Sequence, residues 1–335
     1  MARSTRVFAS SISFWVGGSR PQAVARTTRA RQARILMGDI LLRGGLRCAS
    51  PPLYPGARET ACSPSMARPE STLYQFPISH YCEKTRWNLD AKGIPYVIEN
   101  LIPGPHRFVT KRLTKGGRGT VPVLVDRGAV VTDSTDIALH LERAHASAPA
   151  LIPAGGPERE RVLELETYFD EMAGKHVRRW VYATLFASGA DIKPLMFGAF
   201  PLPLRLVGTV LLPVIKTAIR RQYALTPDKV EESRVKLLEG LDRLERETQG
   251  DPSRYLVGES LSIADITAAS LFSPLVAAEG SPYAVRPAEE VPKAIAELRA
   301  SVVARPAGQW LLRRYREDRK RVARGFGASA TVANG

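Results

Sequence analysis

The stretch that decides the fold is residues 71–99, which read STLYQFPISHYCEKTRWNLDAKGIPYVIE. Thr72–Phe76 is a short apolar run typical of a buried strand, and a helix is predicted over Tyr81–Lys92, ending at Gly93. Pro95–Glu99 has the pattern of a second strand. A strand, a helix and a strand in this order predict parallel pairing of the two strands, because the helix carries the chain back across the sheet.

A β-hairpin and a further helix are predicted downstream. After a Gly- and Lys-rich loop, Val121–Val125 and Ala129–Thr132 have the pattern of strands joined by a turn at Asp126–Gly128. A helix is expected to begin at Ser134 or its neighbour, where a polar side chain can cap the first turn. The order β-α-β followed by β-β-α predicts a thioredoxin-like domain over residues 71–148.

The rest of the chain is predicted to be almost wholly helical. Residues 149–157 form a Pro- and Gly-rich linker, residues 158–322 a helical domain, and residues 323–335 a tail. Ser262 and Asp265 have the spacing of a capping box at the start of a buried helix, so we expect Asp265 to be structural. Two apolar stripes indicate amphipathic helices, and their residues are Val162, Leu165, Phe169 and Met172, and Val230, Leu237, Leu241 and Leu244.

Residues 1–70 differ from the rest in composition. They hold eleven Arg and three acidic residues, so they account for +8 of the net charge of +15. Such a segment is expected to be disordered, because it cannot bury enough apolar surface. It is a transit peptide, a secretory signal, or an upstream extension that is not part of the natural protein, with Met66 preceding the first patterned segment.

Composition excludes several functional classes. The remaining charge of +7 and the mixed signs of residues 313–321 do not predict nucleic-acid binding. No run approaches 18 uninterrupted apolar residues, so no conventional transmembrane helix is expected. Cys48, Cys62 and Cys82 and the five His lack the spacing of a disulfide scaffold or a metal site. We therefore expect no metal, and a reducing compartment.

Ser79 lies where the first strand turns into its helix. A helix N-terminus favours an anion, and a hydroxyl donor there would lower the pKa of a bound thiol. The alternative is that Ser79 only caps the helix. Cys82 falls on the core face of that helix and is expected to pack there, whereas His80 and Tyr81 flank the site and are open to either a ligand or a packing role.

Two further motifs carry alternatives of the same kind. Pro122 cannot donate a hydrogen bond to the sheet, and a cis bond after Val121 would turn that backbone outward to pair with an extended peptide. Asp133 and Ser134 at a helix start could hold an ammonium and a carboxylate, or could simply cap the helix.

Together these motifs resemble the cytosolic glutathione transferase superfamily over about residues 71–320. The run Ser79–Arg86 is similar to the active-site helix of zeta-type (serine) and omega-type (cysteine) enzymes, and Ser79 stands where omega members have a reactive Cys. Most relatives have Glu or Gln at the position of Asp133. The resemblance implies an α+β thioredoxin-like domain followed by an all-α glutathione transferase C-terminal domain.

The resemblance also implies glutathione as co-substrate. Ser79 would stabilise its thiolate, Val121 and cis Pro122 would bind the cysteinyl backbone, and Asp133 and Ser134 would hold the γ-glutamyl end. A cation is needed for the glycyl carboxylate, and the candidates are His106, Arg107 and Lys111.

The function implied is a detoxifying glutathione transferase that attacks a small apolar electrophile, as a cytoplasmic homodimer, or a mitochondrial one if residues 1–65 are a transit peptide. A non-catalytic module of the same fold and a glutathione-dependent thiol oxidoreductase are the alternatives. The apolar stretch Pro194–Ile215 is expected to pack on its domain and line the acceptor pocket, with membrane contact as the lesser alternative.

Overall fold

The computed structural model describes residues 69–284 and 291–319, which hold four strands and eleven α-helices. The predicted leader up to residue 68 and the tail from residue 323 lie outside the described residues.

The sheet is formed by β1 (Ser71–Gln75), β2 (Tyr96–Asn100), β3 (Val123–Asp126) and β4 (Ala129–Thr132), in the order β2-β1-β3-β4. Strand β1 runs parallel to β2 and antiparallel to β3, and β4 is antiparallel to β3. This mixed sheet confirms the thioredoxin-like arrangement predicted from the order of the elements.

Three helices belong to this layer: α1 (His80–Ala91), α2 (His106–Leu113) and α3 (Ser134–Ala144). Helix α1 ends before Gly93, whose φ of +67° is the left-handed conformation that glycine adopts most easily. Helix α2 corrects the sequence prediction of a loop. It has no side-chain cap and buries Thr110 alone, so it carries neither a start signal nor an apolar stripe.

The helical region follows with nine elements, one of which is a π-helical turn. They are α4 (Gly156–Phe169), the π-turn (Asp170–Gly174), α5 (Lys175–Ala187), α6 (Lys193–Phe197), α7 (Leu202–Gln222), α8 (Pro227–Thr248), α9 (Ile263–Val276), α10 (Lys293–Val303) and α11 (Pro306–Glu317). All fourteen residues of α9 are buried. The predicted capping box starts this helix, with the Ser262 amide donating to Asp265 Oδ2 at 2.9 Å.

The interior has two apolar clusters. The smaller lies under the sheet and contains Leu73, Leu89, Ile94, Tyr96, Leu124, Ile137 and Leu141. The larger surrounds α9, and Trp87 of α1 belongs to it, with its ring edge-on to Tyr315 at 4.9 Å between centroids. Helix α1 contributes Leu89 to the smaller cluster and Trp87 to the larger, so packing on both sides holds it in position.

A buried ion pair also holds α1 in place. The ammonium of Lys84 lies 2.5 Å from Glu166 Oε1, 2.7 Å from Asp170 Oδ1 and 2.9 Å from Thr135 Oγ1, and no part of the Lys84 side chain is exposed. A charge buried this deeply is stable only with such partners. The network joins α1 to α3, α4 and the π-turn.

Helix α7 differs from the sequence expectation. Arg205 and Pro213 interrupt its apolar residues, yet the helix continues through Pro213 and is long and apolar enough to cross a membrane. Only 11% of its apolar stretch is buried. The count of uninterrupted apolar residues does not identify this helix, because Arg205 and Pro213 break the run.

Candidate active site

A cavity of about 400 Å³ opens between the first turn of α1 and the helices α5 and α7. This volume lies within the range of small-molecule sites, roughly 300–1,000 Å³. All six site residues named from the sequence line it, and they are Ser79, His106, Val121, Pro122, Asp133 and Ser134. Four separate segments of the chain thus supply these six residues.

Ser79 occupies the N-cap of α1. Its Oγ accepts a long hydrogen bond of 3.4 Å from the Cys82 amide, and its backbone carbonyl accepts from the Glu83 amide at 2.9 Å. A hydroxyl oxygen that accepts one bond still has its proton to donate. Capping the helix and donating into the cavity are therefore compatible roles for this side chain.

The Val121–Pro122 peptide bond is cis, as the resemblance implied. Both residues line the cavity immediately before β3, which pairs with β1. The site thus lies at the end of the sheet where β1 runs into Ser79.

Asp133 and Ser134 start helix α3. Asp133 is the N-cap, with φ of +75°, and its carboxylate accepts from the Thr135 amide at 3.0 Å and forms an ion pair with Arg118. A non-glycine residue at positive φ is strained, and such strain concentrates at functional sites. The Oγ of Ser134 is buried and has no hydrogen-bond partner among the described residues.

His106 and Arg107 lie at the start of α2. The Gly104 amide donates to His106 Nδ1 at 3.0 Å, and burial together with the neighbouring Arg107 lowers the pKa of His106 to about 4. The imidazole is therefore neutral near pH 7 and can serve a ligand only as a neutral group. Of the three candidate cations, Arg107 is the charged one that lines the cavity.

Cys82 and His80 are both fully enclosed. Burial raises the pKa of the Cys82 thiol and lowers the pKa of His80 to about 3. The thiol therefore has little thiolate character, which agrees with the packing role expected for it. His80 is neutral and, with only 3% of its surface exposed, packs rather than titrates.

The opposite wall carries an aromatic and cationic group that sequence reasoning missed. The Arg178 guanidinium lies 5.2 Å from the ring centroid of Tyr81 and 4.2 Å from that of Tyr223, and Tyr223 stacks on Tyr182 at 5.7 Å. Nε of Arg178 is buried without a hydrogen-bond partner among the described residues. In the sequence, the only sign of this arrangement is that Arg178 and Tyr182 are four residues apart, which places them on one face of α5.

The lining of this cavity suits a ligand that carries an anionic group beside an apolar group. Ser79, the helix N-termini, Arg107 and Arg178 favour negative charge, whereas Val181, Leu195 and Ile219 supply an apolar wall. Among the described residues no cluster of His, Cys, Asp or Glu could hold a metal ion.

Comparison with known proteins gives one family match. Residues 73–149 match the family model described as "Glutathione S-transferase, N-terminal domain". No curated protein has a sequence that matches the chain.

Solved structures align over most of the chain at low identity. The β-etherase LigF from Sphingobium sp. strain SYK-6 is 23% identical, covering 73% of this chain and 99% of that one, with a TM-score of 0.46. The glutathione transferase GSTFuA3 from Phanerochaete chrysosporium is 18% identical, covering 74% and 96%, with a TM-score of 0.49. Glutathione transferase Omega 3C from Trametes versicolor is 16% identical, covering 73% and 85%, with a TM-score of 0.43.

The sheet, the cis Val121–Pro122 bond and the family match concern the same part of the chain. Residues 73–149 thus combine a thioredoxin-like sheet with a match to the glutathione S-transferase N-terminal family model, and a helical C-terminal region follows them.

Proposed function

We propose that this protein is a glutathione transferase, in which Ser79 stabilises the thiolate of bound glutathione for attack on an apolar electrophile. The observation that carries the proposal is the convergence of Ser79, Val121 and Ser134 on one cavity, although they lie far apart in the sequence. Each alone has an ordinary structural explanation. No such explanation accounts for all three residues lining one cavity of ligand size.

The first turn of α1 is suited to a thiolate. A free thiol has a pKa of about 8.5, and only its thiolate is an effective nucleophile. The Ser79 hydroxyl and the N-terminal end of α1 favour the negatively charged sulfur. Lowering the thiol pKa by about two units requires about 2.7 kcal/mol of preferential binding, which these two effects together can supply.

The remainder of the tripeptide has matching groups. The unpartnered Ser134 Oγ can donate to the γ-glutamyl carboxylate, and the Asp133 carboxylate can accept from the ammonium. The backbone of Val121 can pair with the cysteinyl residue, and Arg107 can neutralise the glycyl carboxylate. Glutathione would thus satisfy a buried hydroxyl that has no hydrogen-bond partner among the described residues.

The electrophile would occupy the side of the cavity formed by α5 and α7. The thiol proton leaves to solvent, the sulfur forms a bond with the electrophilic carbon, and the leaving group departs with the electrons of the broken bond. The Tyr182 and Tyr223 rings favour an aromatic acceptor, and Arg178 favours one that carries or develops negative charge. We therefore infer an aromatic electrophile with an anionic substituent or leaving group.

A non-catalytic binding module of the same fold is the second candidate. The observation that favours it is the ion pair between Arg118 and Asp133, which engages the carboxylate that would hold the ammonium. A thiol oxidoreductase has no such support, because Cys82 is buried and its pKa is raised.

The proposal is tested by calorimetric titration of glutathione into the full chain, Ser134→Ala and the control Ser301→Ala, whose hydroxyl lies on the exposed surface of α10. We expect binding to the full chain and the control. Ser134→Ala should bind about 10- to 100-fold more weakly, since one charge-assisted hydrogen bond contributes about 1.5–3 kcal/mol. Absence of binding at millimolar glutathione would remove the basis of the enzyme, and binding without conjugation of any aryl electrophile would favour the second candidate.

A further inference from the structure

Helix α7 has one face that no described residue covers. Leu202, Leu206, Val207 and Val210 are between 48% and 79% exposed, and they are four of the eight large hydrophobic residues exposed within the described part of the chain. At 100° per residue they occupy an arc of about 140° on one side of the helix. Apolar surface gathered in this way marks an interaction site.

The opposite face of α7 packs on the protein. Gly208 and Ile215 are buried there, and a Cβ atom on Gly208 would lie 2.6 Å from the Phe197 ring. Leu204, Leu211, Leu212 and Ile219 pack against the large core cluster. The helix is therefore held flat against its domain and cannot be surrounded by lipid, although its length and composition would allow it to cross a membrane.

The charges of α7 are all of one sign. The helix contains Arg205, Lys216, Arg220 and Arg221 and no acidic residue. None of these four cations forms an ion pair with a described residue. Lys216 and Arg220 lie over the Phe186 ring of α5, at 5.6 Å and 5.1 Å from its centroid. On the helical wheel Arg221 falls within the exposed apolar arc and Arg205 about 60° outside it. The uncovered face thus combines apolar side chains with positive charge that the fold leaves unbalanced.

Helix α2 also combines an exposed apolar side chain with basic residues. Gly104, just before α2, meets the packed face of α7, with 3.8 Å between an ideal Cβ on Gly104 and Ile215 Cγ1. Helix α2 carries three basic residues and no acidic one, and its Phe108 is 82% exposed. Two neighbouring elements therefore expose apolar side chains among positive charges.

We propose that the uncovered face of α7 binds the surface of an anionic lipid bilayer, with the helix lying in the plane of the interface. An apolar face among unpaired Lys and Arg is the chemistry that such a surface accommodates, because acyl chains take up the apolar residues and anionic headgroups meet the cations. A second copy of the chain is a poorer occupant, since it would bring unpaired cations against cations.

Vesicle co-sedimentation of the full chain tests this proposal. The vesicles are phosphatidylcholine alone, or phosphatidylcholine with phosphatidylserine, at low and high salt. The apolar variant is Leu206→Gln with Val210→Gln, and the charge variant is Arg205→Gln with Arg221→Gln. The matched controls are Val130→Gln with Val235→Gln, exposed apolar residues elsewhere, and Arg234→Gln, an exposed cation on α8.

We expect the full chain and both controls to bind the phosphatidylserine vesicles at low salt and to bind phosphatidylcholine alone at least tenfold more weakly. The apolar and charge variants should each lose at least tenfold in binding, and their glutathione binding and thermal unfolding should stay unchanged. High salt should release the bound protein.

Three results would overturn the proposal. One is equal vesicle binding by the full chain and both α7 variants, which would place the contact elsewhere, including the Arg-rich residues 1–68. Another is no vesicle binding together with a dimer, detected by analytical ultracentrifugation, that the apolar variant abolishes. The third is that neither vesicle binding nor a dimer is detected.

Discussion

The ring of Tyr81 occupies the space beside Gly174 that a side chain at this position would need. Cζ of Tyr81 lies 2.5 Å from where a Cβ atom on Gly174 would be, a distance that real Cβ contacts do not reach. Gly174 ends the π-helical turn between α4 and α5, and Tyr81 lies two residues after Ser79. The absent side chain thus lets the helical region approach the first turn of α1.

Replacing Gly174 with Ala should therefore displace the Tyr81 ring. We expect the free energy of unfolding to fall by about 1–3 kcal/mol, the usual cost of forcing extra volume into a packed interior. Urea unfolding measures it. In a Tyr81→Leu background the same substitution should cost clearly less, because the clashing ring is gone. An equal cost in both backgrounds would show that Tyr81 is not what excludes a side chain at this position.

Removing the buried ammonium should destabilise the protein in a pH-dependent way. Lys84→Met leaves the Glu166 and Asp170 carboxylates without their cation, which costs about 3–5 kcal/mol for a buried pair. Burial already raises the pKa of Asp170. A carboxyl with a raised folded-state pKa favours folding fully below its unfolded pKa, and this contribution is lost as pH rises through the folded pKa.

Without Lys84 the pKa of Asp170 should rise further, so the deficit of Lys84→Met should be smaller at about pH 5 than at about pH 8. Unfolding by urea at both values measures this. Lys236→Met, which removes an exposed ion pair on α8, is the control and should change stability little at either pH. A deficit that does not vary with pH would contradict a role in neutralising buried carboxylates.

Asp265 should support folding most strongly in acid. Its Oδ1 accepts from the Leu256 amide at 2.8 Å, and burial raises its pKa from 3.8 to about 6. Asp265→Ala leaves buried amides without an acceptor, at about 1–3 kcal/mol each. Since the folded-state pKa is the higher one, the stability lost in the variant should be larger near pH 4.5 than near pH 7.5, by roughly 1–3 kcal/mol. A loss of stability that grew with pH would contradict a raised pKa for the Asp265 carboxyl.

Arg178 should select for charge on the acceptor. If Arg178 binds an anionic group, Arg178→Gln should raise KM for a carboxylated aryl electrophile by about 10- to 100-fold, the effect of one hydrogen bond to a charged group. The methyl ester of the same electrophile is the matched comparison and should change little. Steady-state kinetics with both substrates decide the matter, since equal losses for acid and ester would indicate a structural role for Arg178.

The N-terminal layer was predictable because its signals are local. Gly93, Ser79 and the turn before Ala129 mark where elements end and begin, and the apolar runs between them have the lengths of the observed strands and helices. The site residues Ser79, Pro122 and Ser134 sit at such boundaries, which is why sequence motifs could place them. The start of α3 was predicted to within one residue, with Asp133 as its cap.

What the sequence could not supply depends on distant contacts. Tyr223 meets Arg178 only because α7 and α8 fold back on α5, and no spacing rule joins residues so far apart. Helix α2 has no cap and almost no buried face, so the nearby glycines dominate its pattern. For α7 the sequence showed an apolar segment. It did not show which face of the helix would pack against the rest of the fold.

The central claim is that the Ser79 hydroxyl keeps the sulfur of bound glutathione ionised near neutral pH. The most direct measurement is the ultraviolet thiolate absorbance of bound glutathione against pH in the full chain, Ser79→Ala, Ser79→Thr and the control Ser301→Ala. The full chain, Ser79→Thr and the control should show a midpoint about two units below the pKa of a free thiol, near 8.5, and Ser79→Ala should return most of the way to it. A midpoint equal to that of free glutathione, or one that Ser79→Ala leaves unchanged, would contradict the claim.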